Sequence, residues 1–201
     1  MPAKKISVSL VVGAGEVGAL LATVLKRSYP VYIFDAFKKE YDGRDFPESF
    51  DVMHICFPFN KNFVRDVRKY QKRFKPSYTI IHSTVSVGTS ARCQAFHSPV
   101  RGLHPHLEQG IKTFIKYLAP RSLELAAYFK KAGVKVREVE KPETTEALKL
   151  WDTTYYGWNI MFEKLVHAWC VKHSVDFNIA YTDANVTYNE GYKKLGRPQV
   201  T

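Results

Sequence analysis

The chain has 201 residues, 45% hydrophobic and 14% aromatic, enough to bury a core and make one domain with an appendage. No apolar stretch approaches the roughly 18 residues of a membrane span, and "MPAKKISVSLVV" lacks the apolar core and cleavage site of a signal peptide, so the expected compartment is the cytoplasm. The formal charge of +11 points to an anionic partner, while Cys56, Cys93 and Cys170 lie too far apart, without CxxC spacing, for a disulfide framework or a zinc site.

In chain order, β-rich apolar runs alternate with helical patterns. "ISVSLVV" leads into a helix from about Glu16, and "VYIFD" follows. The polar stretch from Tyr41 to Ser49 is short, so a crossover helix is expected to be pruned to a loop there. "FDVMHICF", a basic helix and "YTIIHST" come next, and this alternation argues for parallel strands joined by helical crossovers. In the basic helix Phe63, Val67, Tyr70 and Phe74 form an apolar stripe, with Lys61, Arg65, Arg68, Lys72 and Arg73 largely elsewhere. A solvated face on a packed helix is the leading interpretation, and a nucleic-acid surface the weaker one. "SVGTSARCQAF", "SPVRGLHPHL", a helix around "RSLELAAYFKKAG" and a last strand "VKVREV" complete the region.

From about Pro142 the strand signals stop, and "ETTEALKLWDTTYYGWNIMFEKLVHAWCVKH" reads as one helix of roughly thirty residues, about 45 Å long. Trp151, Tyr155 and Trp158 read as packing aromatics on it, and its length suits contact with another subunit, which makes a homodimer the expected assembly. The expected fold class is α/β: a Rossmann-type, doubly wound, mostly parallel sheet over residues 1–140, then a long C-terminal helix and a short helical segment over 141–201.

"LVVGAGEVGALLATVL" places Gly13, Gly15 and Gly18 between a strand and a helix. Such a turn bends sharply at the first glycine, admits a pyrophosphate at the second and packs helix on strand at the third, with Glu16 and Val17 opening the helix whose N–H groups face the phosphates. Asp35 ends the next strand, where a carboxylate accepts hydrogen bonds from an adenosine ribose and repels a 2′-phosphate. NAD is therefore the expected cofactor, with NADP possible because Lys38 and Lys39 follow; solvated lysines are the plainer reading of that pair.

Substrate groups are sought at the C-terminal ends of the later strands. His82, Ser83 and Thr84 sit at one such end and Pro58 at another, although Ser and Thr after a strand also commonly cap the next helix. Arg101 and His104 are candidates for contact with an anionic substrate. His97, His104 and His106 cluster without a carboxylate or thiol set, so no metal site is expected.

The glycine turn, Asp35, "CFPF", "STVSVGTS" and "TTEALKL" occur in the order that resembles the 6-phosphogluconate, 3-hydroxyacid and UDP-sugar dehydrogenase superfamily. "STVSVGT" looks most like the UDP-sugar dehydrogenases, while "RGLHP" is reminiscent of prephenate dehydrogenases. The resemblance implies an acid/base lysine early in the long helix, matched by Lys149, and a substrate-positioning asparagine four residues on, where this chain has Thr153. Helical spacing aligns Lys149, Thr153 and Tyr156, with Glu146 one turn earlier. None of the three cysteines lies in the GHC-type segment of UDP-sugar dehydrogenases, so a two-step oxidation through a thiohemiacetal is not expected. The expected function is hydride transfer between nicotinamide and a carbinol carbon of a small anionic substrate. A non-catalytic dinucleotide-binding or redox-sensing module is the rival reading.

Overall fold

Four consecutive apolar or small residues, Ser9–Val12, form β1 with both faces buried, as a central strand of a parallel sheet must be. The structure, a computed structural model, describes residues 6–102 and 107–199, with backbone only at Leu107 and Glu108. After β1 come α1 (Glu16–Lys26), β2 (Val31–Phe34), β3 (Val52–Ile55), α2 (Phe63–Phe74), β4 (Tyr78–Ile81), α3 (Thr89–Cys93) and β5 (Phe96–His97). The five strands lie in the order β2-β1-β3-β4-β5, all parallel, with Ser9 opposite both Val31 and Val52. The order reverses between β1 and β3, the switch point outside which a doubly wound sheet opens its crevice.

The pleat sends alternate residues to two cores. Leu10, Val12, Met53, Ile55 and Ile81 pack with Phe63, Val67 and Phe74 of α2, while Val52 and Ile80 pack on the other face with Leu21, Val24 and Leu25 of α1. The buried residues of α2 belong to the stripe read from its spacing, and its basic residues point outward. Between β2 and β3 there is one short 3-10 turn, Lys39–Tyr41, and no α-helix, as the polar composition of that stretch implies. An aromatic cluster fills the space, with Phe46 and Phe50 rings 5.5 Å apart and Phe50 6.1 Å from Phe74.

Beyond the main sheet lie α4 (Leu107–Thr113), β6 (Lys116–Leu118), α5 (Leu123–Lys131) and β7 (Val136–Glu138). β6 and β7 form a separate two-stranded parallel sheet, linked to β5 by an antiparallel bridge between His97 and Ala119. α6 runs through 32 residues, Pro142–His173, and α7 covers Ala184–Lys194. The chain divides into two compact units, Met1–Leu150 and Trp151–Thr201, so that the first turns of α6 belong with the sheet. Among the described residues no helix is long and apolar enough to cross a membrane.

Candidate functional site

Each glycine of the first turn answers a different steric demand. A Cβ on Gly18 would stand 1.9 Å from the Gly13 carbonyl oxygen, so only glycine lets α1 lie this close to β1. Gly13 has φ +103 and a Cβ there would meet the Phe57 amide nitrogen at 2.9 Å. Gly15, the N-cap of α1, is the opposite case: it provides no side-chain cap, and a Cβ would meet nothing within 4 Å. Space is therefore left open where the positive end of an eleven-residue helix emerges. That cradle fits a diphosphate.

Asp35 braces this turn. Its Oδ2 accepts from the Ala14 amide at 2.7 Å and its Oδ1 from the Phe37 amide at 2.9 Å. Lys38 is exposed, as expected of a solvated lysine, and its Nζ also donates to the Ala14 carbonyl at 2.8 Å. Gly13, Gly15, Asp35 and Lys38 line a cavity of about 540 Å³ together with Asn60, Lys69 and Tyr70. A second cavity of about 670 Å³ is lined by Val17, Phe59, His82, Ser83, Thr84, Gly102 and Lys149. Cys56, Phe57 and Pro58, at the end of β3, line both. The two cavities thus share one wall across the switch point.

The residues around the second cavity are held from behind. Ser83 Oγ donates to the Phe57 carbonyl at 2.6 Å, tying the end of β4 to that of β3 rather than capping α3. The cap of α3 comes from α6, where the buried Glu146 carboxylate accepts from the amides of Gly88 and Ser90 at 2.6 and 2.7 Å. The neighbouring Thr145 hydroxyl lies 2.8 Å from His97 Nδ1. "TTE" therefore docks the start of α6 on the sheet unit, and Lys149, one turn on, lines the cavity. Thr153 lies in the second unit and is exposed. The Arg101 guanidinium sits 5.8 and 5.7 Å from the ring centres of Phe114 and Tyr117. His104 lies outside the described residues. Glu16 is exposed at the first position of α1, and Val17 faces the second cavity. His97 is buried and held near pKa 4 by that burial, and among the described residues no group of three or more His, Cys, Asp or Glu is placed to hold a metal.

Sequence reading missed a buried polar chain under the second cavity. Ser9 Oγ lies 2.8 Å from the Tyr128 hydroxyl, which lies 2.9 Å from His54 Nε2; His54 Nδ1 is 2.9 Å from His82 Nε2. His82 Nδ1 is 2.7 Å from the Ser98 carbonyl and 3.2 Å from Lys116 Nζ, which donates to the same carbonyl at 3.0 Å. A carbonyl only accepts, so it fixes the tautomers in turn: Nδ1 of His82 carries hydrogen, its Nε2 accepts from His54, and His54 Nε2 accepts from Tyr128. Burial pushes His54 down to about 3 and His82 well below its ordinary range, raises the Cys56 thiol to about 12, and lowers the Lys116 ammonium to about 7. His54 stands alone as a polar residue in the all-buried strand "VMHI", the one local signal for this chain.

On the outer side of α2, Lys61, Arg65, Arg68, Lys69, Lys72 and Arg92 line an open cavity of about 760 Å³.

A five-stranded parallel sheet in this order, with its first β–α turn open at a helix N-terminus, defines a Rossmann-type, doubly wound α/β fold. Solved structures agree with that class. The chain aligns with a UDP-D-ManNAc dehydrogenase from Pyrococcus horikoshii at TM-score 0.70 and 16% identity, covering 89% of this chain and 57% of that one. It aligns with 3-hydroxyisobutyrate dehydrogenase from Mycobacterium tuberculosis at TM-score 0.66 and 14% identity, covering 85% and 67%. A reductive aminase from Aspergillus terreus, solved with NADPH and ethyl levulinate, gives TM-score 0.62 and 9% identity over 96% and 75%. These neighbours include two of the dehydrogenase classes that the motif order resembles, those acting on a UDP-sugar and on a 3-hydroxyacid. The chain thus spans little more than half the length of the first of these structures. No protein-family description matches the sequence, and no curated protein does.

Proposed function

We propose that the chain is an NAD(P)-dependent oxidoreductase, and the observation that carries this is the open Gly15 cradle continuing along one wall into the cavity of Ser83, Thr84 and Lys149. In this reading Gly13, Gly15, Glu16, Val17 and Gly18 surround the diphosphate, Asp35 takes the adenosine ribose, and Pro58, Ser83 and Thr84 border the nicotinamide end. The cofactor, when bound, supplies a hydride acceptor or donor. Lys149 exchanges the proton at a carbinol oxygen, Thr153 positions the substrate, and Arg101 and His104 meet its anionic group. The substrate class is a small hydroxyacid or sugar derivative. Asp35 at the cavity supports NAD over NADP, and Lys38 supports it too, because its amine is engaged by the Ala14 carbonyl. Residues 1–140 serve as the dinucleotide domain and 141–201 as a dimerisation segment of a cytoplasmic homodimer.

Lys149→Met tests the chemistry: turnover is expected to fall by a factor of roughly 10² or more, as for loss of a general acid/base, with cofactor affinity unchanged. Turnover kept within a few-fold removes Lys149 from the mechanism. Tight cofactor binding without turnover of any hydroxyacid or sugar nucleotide favours the non-catalytic module. The cation-lined cavity on α2 supports a weaker reading, nucleic-acid binding, for which steeply salt-dependent retention on heparin without competition by NAD is the expected sign.

A further inference from the structure

Lys116 is anomalous for a lysine. It lies on β6 with 3% of its surface exposed. Among the described residues no carboxylate contacts it; its amine donates to the Ser98 carbonyl, lies 3.2 Å from His82 Nδ1 and stands 5.4 Å from the centre of the Phe129 ring. A buried amine without a counter-ion is costly, and an apolar side chain would pack here without that cost.

Its neighbours connect it to the second cavity. His82, in contact with the amine, lines that cavity, and so does Cys56, which is within electrostatic range of it. The groups that face Lys116 are His82 of the β4 end, His54 of β3, Cys56 beyond β3, His97 of β5 and the Phe129 ring of α5. Burial keeps the three histidines and the thiol uncharged around neutrality, so a change of charge in this cluster falls on Lys116. One layer of side chains therefore separates a titrating cation from the cavity, in a medium of low dielectric.

We propose that Lys116 sets the preference of this cavity for reduced over oxidised dinucleotide: as an ammonium it disfavours a cationic nicotinamide, and it releases its proton to solvent when the oxidised form binds. The inference rests on the dinucleotide reading above. The oxidised ring carries a positive charge that the reduced ring lacks, so only the oxidised form is coupled to the ammonium. Coupling between two binding events is reciprocal: if protonation weakens the oxidised form, that form expels the proton. Lys116 acts here as a positioning residue, through the cavity floor and without touching the reacting atoms.

The test is the dissociation constant of NAD⁺ and of NADH, and likewise of NADP⁺ and NADPH, from pH 6 to pH 9 on the full chain, with calorimetry in two buffers of different ionisation enthalpy to count protons. The expected result is that the affinity of the oxidised relative to the reduced form rises roughly tenfold across that range, with proton release on binding the oxidised form below pH 7. Lys116→Met is expected to flatten the ratio and abolish the release. Should that variant not fold, the wild-type pH series and proton count decide by themselves. Both forms binding with a flat ratio and no release overturns the coupling and leaves the dinucleotide reading standing. Failure of every form to bind overturns that reading, and this inference with it.

Discussion

Alanine at Gly15 and alanine at Gly18 separate ligand space from packing space. Gly15→Ala meets no protein atom, so it should cost only about 0.5–1 kcal/mol as a weakened N-cap, yet fill the cradle and cut dinucleotide affinity at least tenfold. Gly18→Ala drives a methyl into the Gly13 carbonyl and should destabilise the fold by about 2–4 kcal/mol. Denaturant midpoints set beside cofactor titrations check both, and equal effects of the two variants would contradict the assigned roles. Gly13 and Gly18 were legible in the sequence because the turn itself demands glycine there, whereas Gly15, where a Cβ would meet no protein atom, was legible only through its place in the spaced glycine pattern. Lys116 was not legible: "FIKYLAP" offers a basic residue in a short apolar run, and only the tertiary fold brings it against His82, the end of the chain that runs on through His54 to Tyr128.

The same lysine gives a pH dependence of stability with a definite sign. The unfolded chain holds its proton up to the ordinary 10.5 while the folded chain gives it up near 7, so unfolding takes up a proton in between and stability rises with pH. The slope approaches about 1.4 kcal/mol per pH unit for one proton. Above pH 9 the raised thiols of Cys56 and Cys93 oppose it, since they ionise on unfolding. Below 6.5 the lowered histidines His54, His82 and His97 act in the same direction, so that stability drops as the pH is lowered, because they are protonated more readily when unfolded. Urea midpoints between pH 7 and 9 should climb for the wild type and stay level for Lys116→Met. A level wild-type curve would mean that the amine is not desolvated as described.

At the scale of elements, the start of α6 is held to the sheet unit by Glu146 and Thr145. Glu146→Ala removes the acceptor for two amides of α3 and should cost about 2–4 kcal/mol, with Glu146→Gln milder. Thermal unfolding followed by near-ultraviolet dichroism checks this, and a shift below about 1 °C would show that the carboxylate does not carry the docking. Strands β1 to β4 and the whole of α6 were readable because each is a sustained apolar or helical pattern bounded by turn residues. β6 was not, since three residues give no alternation to read, and its pairing partner β7 lies 20 positions away along the chain. The separate two-stranded sheet is a tertiary choice, fixed by the His97–Ala119 bridge and by α5 packing. "TTEALKL" pointed to the right helix, yet two of its residues serve docking, a distinction that spacing alone does not draw.

For the molecule as a whole, the second unit leaves a large apolar surface uncovered: Trp151 and Trp158 are 72% and 71% exposed, and Met161, Leu165, Ile179 and Leu195 are also exposed. Apolar exposure on this scale marks an interaction surface. A stable homodimer is the expected state, seen as a sedimentation mass near twice 23.1 kDa that Trp158→Glu with Leu165→Glu shifts toward the monomer. A monomeric wild type at micromolar concentration would contradict it. The sheet unit itself folds around the crevice at its switch point, and the glycine turn, the β3 end and the docked start of α6 all converge there.

Isothermal calorimetry of the purified chain against NAD⁺, NADH, NADP⁺ and NADPH, with Gly15→Ala alongside, bears most directly on what that crevice is for. Saturable one-to-one heat is expected with at least one pyridine nucleotide, tighter for the non-phosphorylated pair, and lost in a Gly15→Ala protein that remains folded. No heat with any of the four, or undiminished binding by Gly15→Ala, would contradict it.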